Sequence, residues 1–160
     1  MQTSARKLIL GLGIPATLLA AAVDAQAQER TIKLGYGIAA EHPLGQGVSR
    51  FAEVVLEKSG GKLKVKGFPA NTLGSEAQMI SATAGGVQEM VIPSSAPVVQ
   101  VVKEFGLFDL PFLFGSYKEV EAVLDGPVGR QLLDMLEPKG LIGLCFWENG
   151  FRQRAMAEAG

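Results

Sequence analysis

Along KLKVKGF, residues 62 to 68, polar and apolar positions alternate: Leu63 and Val65 face one way, Lys62, Lys64 and Lys66 the other. A period of two marks a strand with one wet face. TIKLGY (31–36), β-branched and bounded by glycine, reads as a second strand, and EMVIP (89–93) as a buried third. LIGLCFW (141–147) carries no charged or amide side chain, which predicts a strand with no wet face. Between the strands the period becomes helical. Leu44, Val48, Phe51, Val55 and Leu56 stripe a helix that Pro43 opens and Gly60-Gly61 closes. Ser75 is placed to cap a short helix running to about Ala84, with Met79, Ile80 and Thr83 inward and Gly85-Gly86 as its stop. SSAPVVQVVKEFG reads as a loop leading into a helix, and LFDLPFLF is apolar but irregular. Ser116 caps a helix to Leu124, and Val128, Leu132, Met135 and Leu136 stripe another.

Strands alternating with helices predict an α/β fold, a mostly parallel sheet flanked by helices on both faces. In such sheets ligands sit beyond the C-terminal ends of the strands. The tips here are GYGIAAEH, GFPANTLG, IPSSAP and WENGFR, which collect the glycine, serine, asparagine and charge that the strands lack.

The first residues stand apart. Arg6 and Lys7 precede an apolar stretch from Leu8 to Val23, and Ala25-Gln26-Ala27 follows. That is the order of a secretory signal peptide, expected at 1–27 with cleavage after Ala27; the apolar middle is short for a span, which needs about 20 residues. No cysteine sits near the cleavage point to take a lipid. The remainder is expected to be exported and soluble, one domain in size. Removing Arg6, Lys7 and Asp24 takes the 15 basic and 16 acidic residues to 13 and 15, a balance that gives no reason to expect nucleic acid as a partner. Cys145 is the single cysteine, so no internal disulfide forms, and its place between Leu144 and Phe146 predicts burial.

Several residues at the tips could carry chemistry. Gly35-Tyr36-Gly37-Ile38-Ala39-Ala40 matches GxGxxA after a strand, but Glu41 would repel a phosphate and no acid closes the next strand to hold a ribose. A glycine-rich loop beside a ligand fits Tyr36 and Gly37 better, and no cofactor is implied. His42 is the only histidine; it reads as a surface residue before a helix or as a donor lining a pocket. An enzyme would need it beside Glu41 or Glu76, with no nucleophile or metal set in support. Ser94 and Ser95 follow a strand and precede a helix, so they can bind a carboxylate oxygen, cap the helix, or both. The three aromatics of FDLPFLF (108–114) are expected in the core. Arg152 follows Glu148-Asn149-Gly150 at the tip of the last apolar stretch. Its planar fork can meet a carboxylate with two parallel bonds, and it equally fits an ordinary surface arginine.

GKLKVKGFPANTLGSEAQMI, SSAPV, FGLFDLPFLF, LDGPVG and GLCFWENGFRQ, in this order, resemble the substrate-binding proteins of TRAP (tripartite ATP-independent periplasmic) transporters, from about Ile32 to about Gln153. The resemblance implies a two-lobed α/β periplasmic binding protein that captures an organic acid and passes it to the small and large membrane subunits of a permease, driven by an ion gradient. It implies cleft positions for Arg152 and, more weakly, for Glu76, Ser94 and Ser95, then Tyr36 and Gly37; Asn149, in the turn before Arg152, and His42 are ligand-binding candidates from their places at the strand tips alone. Family members continue for about as many residues again, as two domains require. The chain is therefore expected to hold an N-terminal ligand-binding lobe at 28–153 and an atypical tail at 154–160. With one cleft wall it should bind no acid tightly, or be a non-functional fragment, since a half-exposed ion pair contributes only about 0–1 kcal/mol.

Overall fold

A computed structural model of the chain describes residues 29–150. The predicted signal peptide, Arg152 and the tail lie outside the described residues. Three strands, β1 (Arg30–Tyr36), β2 (Leu63–Phe68) and β3 (Met90–Ile92), form an all-parallel sheet in the order β2-β1-β3. Helix α1 (Pro43–Lys58) links β1 to β2, and α2 (Glu76–Ala84) links β2 to β3. A four-residue α3 (Ser95–Val98) and a 3-10 helix over Lys103–Asp109 follow, then α4 (Tyr117–Leu124), α5 (Pro127–Asp134) and a last 3-10 turn at Glu137–Lys139.

Pleating divides β1 between two layers. Leu34 and Tyr36 face α1 and form one core with Leu44, Val48 and Val65. Gly35, between them, faces the other way, and a Cβ there would lie 2.5 Å from the Met79 sulfur on α2. Ile80 of α2 joins Val98, Val102, Phe105 and Leu132 in a second core. Helices thus cover both faces of the sheet, as the alternation of elements predicts. No helix among the described residues is long and apolar enough to cross a membrane.

Helix starts follow local chemistry. Ser75 accepts from Gln78 N while the Gln78 side chain accepts from Ser75 N, a reciprocal capping box. Ser116 accepts from Glu119 N at the start of α4. Thr83 is half-buried and turns its hydroxyl back onto Met79 O.

Five expectations fail. LIGLCFW is not in the sheet: residues 141–150 have no ladder partner among the described residues. Ile142 is 81% and Leu144 62% exposed, and Cys145 is exposed instead of buried. A run apolar on both sides can be buried on both sides only as a paired strand; unpaired, it buries only the residues that reach a neighbour. Phe146 packs on Phe105 and Phe108, and Trp147 on Phe51 and over Gly47. Phe112 is fully exposed at φ 62, so the aromatics of 108–114 are not all core; the backbone turns there and throws the ring outward. Val128, in the first turn of α5, is 48% exposed while Leu132 and Leu133 carry the buried stripe. EMVIP gives a three-residue strand that is half-buried rather than buried, because it lies at the sheet edge.

Candidate functional site at the strand tips

The strand order places a topological switch between β1 and β3. From β1 the chain departs through α1 toward β2; from β2 it crosses back through α2 to β3 on the other side. In sheets of this type the loops leaving the two strands diverge at such a point, and the crevice between them is the usual seat of a ligand.

Four residues meet at that crevice. Gly37 leaves β1, Ser94 leaves β3, Glu76 opens α2, and Asn71 lies in the loop after β2. Glu76 Oε2 accepts from the Ser94 backbone N–H at 3.0 Å and from the Ser94 hydroxyl. Its other oxygen lies so near Gly37 that a Cβ there would be 2.4 Å from Oε1 and 3.3 Å from Asn71 Oδ1. Only glycine leaves room for the carboxylate in this pose. The loop carrying Asn71 is clamped to the tip of β1: Ala70 N donates to Ile38 O at 3.0 Å and Asn71 N to Tyr36 O at 3.2 Å. Ala70 and Asn71 hold φ of 51 and 58, a conformation that asparagine tolerates and alanine adopts only under constraint.

The remaining predicted site residues are dispersed. Tyr36 is buried against α1, on the sheet face opposite Gly37, where it lines an open depression of about 430 Å³ with Val48 and Pro69. Burial pushes its phenol above the ordinary value, and the Glu41 carboxylate adds to the shift. His42 is exposed and caps α1, its Nδ1 accepting from Leu44 N at 3.2 Å. Ser95 donates to Asp109 Oδ1 at 3.3 Å. Asn149 is exposed before Gly150, whose φ of 87 makes the tight turn that the sequence allowed. Arg152 lies outside the described residues.

Two features escaped sequence reasoning. Ser94 makes no side-chain cap at α3; both of its donors go to Glu76, 18 positions back. Asn71 lies outside the predicted set, although the Pro69-Ala70-Asn71 turn after a strand is the available signal.

The sheet order, the helices on both faces and the polar crevice at the switch point define a lobe of the periplasmic-binding-protein type. The chain belongs to the bacterial extracellular solute-binding proteins, family 7 (DctP), whose model matches residues 34–158. It is 38% identical to the C4-dicarboxylate-binding protein DctB of Bacillus subtilis, over 76% of this chain and 35% of that protein. It is 35% identical to the C4-dicarboxylate-binding periplasmic protein DctP of Rhodobacter capsulatus, over 90% and 44%. Among solved structures, the sugar acid binding protein of Advenella mimigardefordensis in complex with galactonate superposes with a TM-score of 0.75 at 49% identity, covering 78% of this chain and 40% of that one. A TRAP periplasmic solute-binding protein of Sulfurospirillum deleyianum with bound succinate gives 0.72 at 35% identity, covering 78% and 40%. The chain thus spans less than half the length of these relatives.

Proposed function

We propose that the chain supplies the ligand-capturing lobe of a periplasmic solute-binding protein that delivers an organic acid to the small and large membrane subunits of a TRAP transporter, for uptake across the inner membrane on an ion gradient. The convergence of Gly37, Asn71, Glu76 and Ser94 at the β1/β3 switch point carries this reading. Membership of a family of solute-binding proteins supports it, as do relatives with bound carboxylates. Arg152, beyond the last described residues of the WENG turn, supplies the cation for the acid. The lobe works by binding and not by turnover: His42, on which an enzyme reading depends, spends its Nδ1 on the cap of α1. Export rests on the signal-peptide pattern at 1–27.

The test is an amide-resolved NMR titration of the 160-residue chain with galactonate and succinate. The expected result is shifts confined to Gly37, Glu76, Ser94 and residues 148–153, with a dissociation constant near millimolar, as one wall of a cleft allows (about −4 kcal/mol). Shifts at the Tyr36 depression instead, or none at all, would overturn the reading.

A further inference from the structure

We propose that the depression between α1 and β2 is a second binding site, which takes a small uncharged molecule with an apolar body and one hydrogen-bond acceptor, such as a ketone oxygen. Val48 and Ala52 of α1, Val65 and Gly67 of β2, and Pro69 line its space of about 430 Å³, a size and an apolar lining that suit a small ligand. Tyr36 also lines it and is only 3% exposed. The Tyr36 hydroxyl makes no hydrogen bond with any described residue, yet no fully buried side-chain oxygen or nitrogen among these residues lacks a partner. The hydroxyl therefore reaches the depression and not the closed core. Glycine at 67 keeps it uncovered: a Cβ there would lie 3.7 Å from the hydroxyl and 3.0 Å from Val48 Cγ1. Other polar groups at the rim are engaged. Ser49 donates to Gly45 O at 3.3 Å, and the Lys66 ammonium sits 5.3 Å over the Phe68 ring. Burial and, after it, the Glu41 carboxylate raise the phenol above its ordinary value, so at neutral pH it is an O–H donor awaiting an acceptor. The same Glu41 charge disfavours an anion at that place, which sets the depression apart from the acid-capturing crevice on the opposite face of the sheet.

The test titrates cyclohexanone and cyclohexanecarboxylate, matched in ring and different in charge, against the full chain at neutral pH, with the Val48, Ala52 and Gly67 amides as probes. Cyclohexanone should shift these amides and leave those of Gly37 and Ser94 in place. The carboxylate should bind at least about tenfold more weakly. Tyr36→Phe deletes only a hydroxyl that bonds nothing in the protein, so the fold should persist while cyclohexanone affinity falls about fivefold, the effect of one neutral hydrogen bond. The comparison of the two ligands needs no variant, so a poorly folded Tyr36→Phe chain would not shelter the claim. Silence of the three amides up to the solubility limit of cyclohexanone, equal binding of the carboxylate, or unchanged affinity in a folded Tyr36→Phe chain would each overturn the proposal.

Discussion

Gly37→Ala tests the geometry of the crevice without any ligand. The new methyl would lie 2.4 Å from Glu76 Oε1, so the carboxylate must rotate and abandon Ser94. Hydrogen bonds to a charged acceptor contribute about 1.5–3 kcal/mol each. Glu76 is only half-buried, and water takes over part of the lost bonding, which leaves a cost of about 2 kcal/mol for the pair. Against this stands a gain. Gly37 is not among the positive-φ residues, so alanine fits the backbone and stabilises by about 0.4–1 kcal/mol through the unfolded chain. The clash should win, with a net loss of about 1 kcal/mol. The decisive measurement is a double-mutant cycle with Glu76→Ala, by urea denaturation followed through the single tryptophan. With Glu76 truncated nothing is left to clash, and Gly37→Ala should become stabilising. The coupling should therefore be about 2 kcal/mol. Additivity within about 0.5 kcal/mol, or stabilisation by Gly37→Ala in the unaltered background, would show that Glu76 does not occupy the space over Gly37.

Other consequences are local. Ser75→Ala removes one half of the capping box on α2 and should cost about 1 kcal/mol in chemical denaturation. Phe51→Ala takes away the edge contact on Trp147, 6.2 Å between centroids; the emission of the sole tryptophan should move to longer wavelength while far-ultraviolet dichroism stays unchanged. Glu89 accepts the Lys33 N–H at 3.0 Å, and this bond, against the opposing effect of burial and aided by the Lys33 and Arg30 charges, holds its carboxyl below the ordinary 4.5. Because the folded value is the lower one, its contribution is whole above 4.5 and is lost as pH falls through that value and below it. Stability measured from neutral pH down through that range should fall less steeply for Glu89→Gln than for the unaltered chain.

Elements whose signal is local were legible in the sequence. The Lys-Leu-Lys-Val alternation of β2, the Pro43 start of α1 and the serine caps at 75 and 116 each act within a few residues, and each element stands where its pattern placed it. The 141–147 stretch failed because apolar composition reports a need for burial and does not supply a strand to pair with. The crevice failed in part for a related reason. Gly37, Glu76 and Ser94 could each be picked out at a strand tip, but their mutual bonding joins positions 18 and more apart and depends on the order β2-β1-β3. That bonding changes the chemistry assigned to each. Taken alone, Ser94 offers two donors to a ligand carboxylate. In the fold those donors already hold a carboxylate, that of Glu76, at the place a ligand's acid group would otherwise take. An anion reaching this crevice must find its cation elsewhere, which is why the proposed mechanism places the acid on Arg152.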